Sequence, residues 1–412
     1  MRESLLERLR CPFCGGRLGV VENDALARTN GRIDAGVLGC DCCAFPVVAG
    51  IPVLIANDRT RDAMHQLEAG HEEQALFTLL DLDDARGASF RSLLRRPQPI
   101  TYREALALLS LDAEAENFLY RFSDPTFVIA DALVRALGQT RWTMSGAVLD
   151  VCGGSGHLTR VLASMAPAGG VVSADVYFWK LWLARRYNVP EADAVCCDGN
   201  APLPFARDAF SLVHLADAFP YIWHKRLLAE ELLRAAGPDG VVVMPHLHSS
   251  LGENFSAGMT LTPAGYRDLF ADRAPRLFSD ERLFSDALDG MADLGRALSV
   301  DEIGNEPSFS LVASRRDDLF TRRELAESRD VRGALTVNPL YRVERQGQSS
   351  LLTLTFPTPE YEEEFGACKR YLPATLTIDA DLTSPIAPAT LGSALADLRR
   401  RRIILDAPPY YC

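Results

Sequence analysis

The stretch 148–159, V-L-D-V-C-G-G-S-G-H-L-T, constrains this chain more than any other. An apolar run, 147–149, ends in the carboxylate of Asp150. Gly153, Gly154 and Gly156 follow, and Leu158, Val161 and Leu162 then recur at helical spacing. The pattern is strand, tight glycine turn, helix. Such a turn lets a nucleotide-like ligand reach bare backbone, and the helix N-terminus adds free N–H donors. Glycine turns are common, so these residues alone also read as nothing more than a turn. The residues downstream decide.

Four further strand-like segments lie there. Residues 170–175 close on Asp175, 25 positions after Asp150, where an acid accepts hydrogen bonds from ribose hydroxyls. Residues 194–199 end in Asp198-Gly199, and 209–217 form a fourth strand. A fifth, 240–246, follows a helix over 225–236 that Gly237-Pro238 closes. Strands alternating with helices imply an α/β fold, a doubly wound Rossmann-like sheet with ligands at the carboxyl ends of its strands. A nicotinamide-binding unit is excluded, because its G-x-G-x-x-G spacing is not met.

The segment resembles the core of class I S-adenosylmethionine (SAM) dependent methyltransferases. Leu149-Asp150-Val151-Cys152-Gly153-Gly154-Ser155-Gly156 resembles their first motif, and Asp175 matches the ribose-binding acid. Asp198-Gly199-Asn200-Ala201-Pro202-Leu203-Pro204-Phe205, with Phe210, resembles the stretch whose acid binds the adenine amine. The run L-L-R-A-A-G-P-D-G at 232–240 is similar to the turn before the fifth strand. The likeness spans about residues 145–250. It implies a SAM site built from Asp150, Cys152, Gly153, Gly154, Gly156, Asp175, Val176, Asp198, Gly199 and Leu215. Cys152 stands where the first glycine is usual, and Ser211 replaces an acid before the fourth strand. Neither departure is expected to prevent cofactor binding.

Five of the ten cysteines fall within the first 43 residues: Cys11, Cys14, Cys40, Cys42 and Cys43. They make two C-x2-C pairs 25 residues apart. Four thiolates so placed suit a closed, structural Zn²⁺ site of Cys11, Cys14, Cys40 and Cys43, with Cys42 as the spare. Free or disulfide-bonded cysteines are the alternative, which a reducing compartment disfavours. The segment F-P-V-V-A-G-I-P-V-L-I at 45–55 resembles the tail of a zinc-ribbon family that includes the small activator subunit of tRNA and protein methyltransferases. That resemblance implies a ribbon that stabilises or activates a catalytic partner, here fused to it. The first cysteine pair also resembles the ribbon of large-subunit rRNA guanine methyltransferases. Their histidine has no counterpart between Cys14 and Cys43.

At 412 residues more than one domain is expected. The divisions are a zinc ribbon over 1–58, a helical linker or cap over 59–140, a methyltransferase core with a late insertion over 141–316, and an α+β region of open role over 317–412. The net charge of −12 opposes a broad nucleic-acid surface, which needs clustered Lys and Arg. No apolar leader opens the chain and no apolar run approaches the ~18–20 residues of a membrane span, so a soluble, cytoplasmic protein is expected. Residues 102–109 and 127–138 read as amphipathic helices, the second started by Asp124-Pro125; 86–99 reads as a loop. Helices ahead of such a core often cover the cofactor, which brings Tyr120, Arg121 and Phe122 toward the active site. Ordinary core or surface roles are the competing reading.

Methyl transfer from a sulfonium needs an aligned nucleophile and sometimes a base. The candidates are Asp217, Tyr221 and His224 after the fourth strand, and His246 and His248 after the fifth. Two histidines two apart on an extended segment point the same way. They suit a base with its orienter or a metal pair, and a structural role remains open. Residues 283–298 read as helix, 309–314 as the last core strand, and 350–357 and 374–378 as strands. The arginines at 399–402 read as a solvated helix face, or as a contact to phosphate or an acidic partner. The whole reads as a SAM-dependent methyltransferase acting on a small-molecule, peptide-borne or carrier-borne metabolite, with a homodimer through the C-terminal region left open. An RNA base methyltransferase gripping RNA with its ribbon is one alternative. A non-catalytic SAM-binding scaffold is the other, opposed by the intact acids Asp150, Asp175 and Asp198.

Overall fold

A computed structural model describes residues 1–110, 114–140, 146–256, 258–325, 331–383 and 386–411. The expected boundary at residue 141 lies outside them. Seven strands form the central sheet: β1 (Val148–Val151), β2 (Val171–Asp175), β3 (Asp193–Cys196), β4 (Leu212–His214), β5 (Val241–His248), β6 (Pro275–Ser279) and β7 (Ser308–Ala313). Their order is β6-β7-β5-β4-β1-β2-β3, and β7 runs against the direction of the other six. The strands are apolar at successive positions because both faces are covered. Val148, Val171, Leu212 and Val243 enter the core on one face. Leu149, Val172, Val213 and Val242 enter the core on the other. The α/β architecture is the expected one; β6, inside the late insertion, was not foreseen.

Helices α1 (Asp58–Glu68), α2 (Glu72–Leu79), α3 (Asp84–Arg95), α4 (Tyr102–Leu109), α5 (Glu114–Tyr120) and α6 (Pro125–Gly138) precede the sheet. The segment 86–99, expected as a loop, is mostly α3. Asp83 caps it by accepting from the Arg86 N–H, and Phe90 anchors it edge-on to Phe77 and Trp182. Local charge suggested a loop; one buried aromatic outweighs that. α6 begins at the Asp124 cap with Pro125 at its first position. Next come α7 (His157–Met165), α8 (Phe178–Leu183), α9 (Lys225–Ala236), α10 (Pro263–Leu269) and α11 (Asp280–Leu288). The helix expected over 283–298 stops at Leu288, and Met291–Asp293 is a strand paired with Arg322–Glu324.

The N-terminal unit is a small antiparallel sheet seated on the exposed edge of β3. Leu54 donates its N–H to the Cys196 carbonyl at 2.8 Å, and Val53 bridges Cys196 in parallel. Arg2 makes two bonds to the buried Asp193 carboxylate, at 2.9 and 3.0 Å. An open strand edge invites pairing with other chains, and this unit closes it. The C-terminal region adds a three-stranded sheet (Tyr341–Gln346, Ser349–Leu354, Thr375–Ile378) and the pair Ala334–Val337 with Ile404–Ala407. Its Leu335, Tyr361, Phe365 and Ile404 share one apolar core with α6, α7 and the sheet. The arginine run 399–402 pairs internally: Arg399 with Asp406, Arg400 and Arg401 with Asp397, Arg402 with Asp131.

Candidate active site

The glycine turn leaves β1 through three left-handed residues, Cys152 (φ 56°), Gly154 (55°) and Gly156 (88°). Two of the glycines are required sterically. A Cβ on Gly153 would lie 2.5 Å from Ser173 Oγ, and one on Gly156 would lie 2.8 Å from Ala184 Cβ. Asp175 closes the turn from β2. Its Oδ2 accepts from Gly154 N at 3.0 Å and its Oδ1 from Tyr177 N at 2.9 Å. Burial pushes this carboxyl above its usual range, against the pull of Lys180 and the two N–H donors.

Asp198 accepts from the backbone N and side-chain N of Asn200 (2.8 and 3.1 Å), with Gly199 packed under Ile222. Val176 and Tyr177 are exposed beside them. They flank a cleft of about 290 Å³ that Val53, Ile55, Glu114 and Cys196 also wall. Phe118 of α5 lies over the glycine turn, 3.1 Å from where a Cβ on Gly154 would stand. A ligand lying on Gly154 must displace that ring.

Two residues expected at the cofactor have side chains turned into the protein. Asp150 is buried, with Oδ1 bonded to His214 Nδ1 (2.7 Å) and Oδ2 to Thr159 Oγ1 (2.5 Å). Both oxygens are engaged, so Asp150 braces the turn from within. Leu215 is fully buried in the core on the α9 face, because the strand alternation turns its side chain inward.

Beyond β4 and β5 the expected catalytic residues divide into two groups. Asp217, His246 and His248 converge, with one ligating atom from each within 4.8 Å of the others. His248 Nε2 lies 3.2 Å from Asp217 Oδ1, and the two imidazole centroids are 4.7 Å apart. Arg121 joins them, 3.5 Å from Asp217 and 3.1 Å from Asp124. Burial opposes ionisation of Asp217, but the His248 bond and the charges of His246 and Arg121 prevail and hold it at about 2. His246 loses charge stability to burial and regains more from Asp280 and Asp217, so its pKa is raised.

Asp280 escaped the sequence reading. It lies 34 residues beyond His246 at the start of α11 and meets it only through the antiparallel β7 insertion. Tyr221 and His224 stay outside the group. His224 bonds Asn200 through its Nδ1 (3.0 Å), and Tyr221 is exposed. The reason is the turn at Phe219–Tyr221, which carries the chain outward after Asp217.

In the N-terminal unit the clustered thiols are Cys11, Cys14, Cys40 and Cys42. Cys43, expected as the fourth, gives way to Cys42. The hairpin between Arg32–Gly39 and Ala44–Val48 turns through 40–43, and Cys43 is already on its way back, its carbonyl accepting from Cys40 N at 2.9 Å. Cys14–Cys40 and Cys40–Cys42 Sγ separations are both 3.7 Å. Thiolates about 2.3 Å from a tetrahedral Zn²⁺ stand about 3.8 Å apart, so the donor set fits that ion. The backbone N–H of Cys42 draws the Cys40 thiol down to about 7.

Residues 148–240 match the family model described as a methyltransferase domain. No curated protein sequence matches the chain. Among solved structures, it is similar to a SAM dependent methyltransferase from Aquifex aeolicus (16% identity, 50% of this chain, 98% of that one, TM-score 0.35). It is similar to an S-adenosylmethionine dependent methyltransferase from Mesorhizobium loti (15%, 43% and 94%, 0.33). A third is a complex of the Haloferax volcanii Trm112 methyltransferase activator with a methyltransferase (19%, 45% and 88%, 0.33). Residues 148–240 match a methyltransferase domain, and that domain marks the chain as an enzyme.

Proposed function

We propose that the enzyme methylates an oxygen or nitrogen of a small-molecule, peptide-borne or carrier-borne metabolite seated among Arg121, Asp217, His246 and His248. The observation that carries this is the convergence of those side chains at the carboxyl ends of β4 and β5, where an α/β sheet of this kind takes its ligands. Asp175, Val176 and Asp198 occupy the ends of β2 and β3 and would hold the nucleoside of SAM. The α7 N-terminus would offer N–H groups to its carboxylate. When bound, SAM supplies the electrophilic methyl group. The chain's own residues align the acceptor and keep Asp217 ionised beside it.

Tyr221, Trp223, Leu251, Phe255 and Met259 are exposed on the two loops that leave β4 and β5. That apolar rim favours an acceptor with apolar surface over a polyanion, as does the internal pairing of the C-terminal arginines. We infer also that Cys11, Cys14, Cys40 and Cys42 hold a structural Zn²⁺.

Calorimetric titration of SAM and S-adenosylhomocysteine tests the cofactor site. Micromolar binding is expected for the intact chain. Asp175→Ala should weaken it about 10- to 100-fold, the size of a lost charge-assisted pair. Because Asp175 also holds Gly154, thermal midpoints are compared alongside. An intact protein that bound neither ligand would sink the reading.

A further inference from the structure

We propose that Asp217, His246 and His248 bind a divalent transition-metal ion that holds the acceptor through one of its oxygens. This rests on the reading of the same cluster as the acceptor site. Two imidazoles and one carboxylate that converge, with one ligating atom of each within 4.8 Å of the others, are a donor set that first-row divalent metals accept. The spacing suits it. Nitrogen and oxygen ligands about 2.1 Å from one ion stand about 3.0–3.4 Å apart, and His248 Nε2 and Asp217 Oδ1 are 3.2 Å apart.

His246 is prepared as a ligand by the groups behind it. Asp280 Oδ2 is 2.9 Å from its Nδ1, and Asp280 Oδ1 accepts from Ser310 Oγ at 2.7 Å. A carboxylate on one ring nitrogen fixes the proton there and leaves the other nitrogen's lone pair for a metal. β5 is distorted at this residue: pairing with β7 slips between Met244 and Leu247, and His246 has φ 56°. Strained residues of this kind cluster at ligand sites. His248 is buried and turns its Nε2, the nitrogen that would ligate, toward Asp217.

Arg121 does not exclude a cation. Its charge is shared between Asp124 and Asp217, and Asp280 adds a second carboxylate to the cluster through His246. With an acceptor hydroxyl bound, coordination would release its proton to water. The oxygen would then attack the sulfonium methyl; the C–S electron pair would stay on sulfur, leaving S-adenosylhomocysteine.

The test titrates Co²⁺ into zinc-loaded, full-length protein, followed by absorption and calorimetry. Expected is one additional Co²⁺ per chain, with weak visible bands and no sulfur-to-cobalt charge transfer. His246→Ala and His248→Ala should each lower cobalt affinity at least tenfold. Asp280→Asn, which keeps all three ligands, should lower it about 10- to 100-fold. SAM binding by these variants, measured in parallel, shows that each is folded. Cobalt bound only through thiolates, or bound equally by wild type and all three variants, overturns the proposal. If wild type binds SAM yet takes no additional cobalt, the metal site fails and the methyltransferase reading stands. If it binds no SAM, that reading fails instead.

Discussion

Stripping the proposed Zn²⁺ from the full-length chain, or replacing Cys14 with Ser, is expected to cost the largest share of stability of any local change. The N-terminal unit is built from strands as short as Gly19–Val21 and Ile51–Pro52, and its buried side chains, Leu9, Phe45 and Leu54 among them, pack into a core shared with the central sheet rather than one of their own. Small sheets of this size depend on an added constraint. A four-thiolate Zn²⁺ contributes about 10–16 kcal/mol of apparent binding free energy in isolated fingers, and that energy is folding energy.

The damage would not stay local. Leu9, Phe45 and Leu54 lie in the same core as Val172 and Val195, and the Leu54–Cys196 bond covers the β3 edge. Calorimetric melting with and without chelator, beside zinc analysis of Cys14→Ser, reads the effect. A fall in thermal midpoint and exposure of an aggregation-prone edge are expected. A Cys14→Ser protein that keeps its zinc and melts like wild type would show that the thiols are only neighbours.

The second large effect is acid sensitivity at His157. This residue begins α7, directly after Gly156, and is enclosed by Phe118, Phe122 and Tyr102, with Nε2 2.7 Å from the Tyr411 hydroxyl. Burial, with the charges of Arg121 and Arg160, lowers its pKa to about 3. The unfolded chain has an ordinary imidazole near 6.5 and takes up a proton first. The stabilising contribution of the neutral ring is therefore complete above pH 6.5 and is lost as pH falls from 6.5 toward 3. The loss approaches about 1.4 kcal/mol per pH unit for this single group.

Denaturant unfolding between pH 7.5 and 4.5 should show that slope in wild type and a shallower one in His157→Gln. Parallel profiles would remove His157 as the cause. Tyr411 also bonds the Phe118 and Leu119 carbonyls, so protonation would loosen the C-terminal tail and α5 above the glycine turn together.

Much of this protein was legible in its sequence wherever a short stretch carries its own geometric demand. The glycine turn, Asp175, the Asp124-Pro125 helix start and the Lys225–Ala236 helix needed only neighbouring residues to specify them. The two cysteine pairs announced a cluster for the same reason. Which thiols cluster depended on the path of the 40–43 turn, which brings Cys42 to Cys11, Cys14 and Cys40.

Side-chain direction and distant pairing belong to tertiary structure. Asp150 belongs to the turn's motif but is drawn inward by His214 and Thr159, and Leu215 faces the core. Asp280 reaches His246 only because β7 inserts antiparallel beside β5 and β6 returns against it, starting α11 behind the histidine. Arg121 meets Asp217 across 96 residues of chain. Sequence by itself determined the sheet, its ligand-bearing strand ends and the kinds of residue placed there, because those follow from local periodicity and turn sterics. Only the packed structure decided which of those residues meet, because contact between distant segments is set by how buried faces fit together.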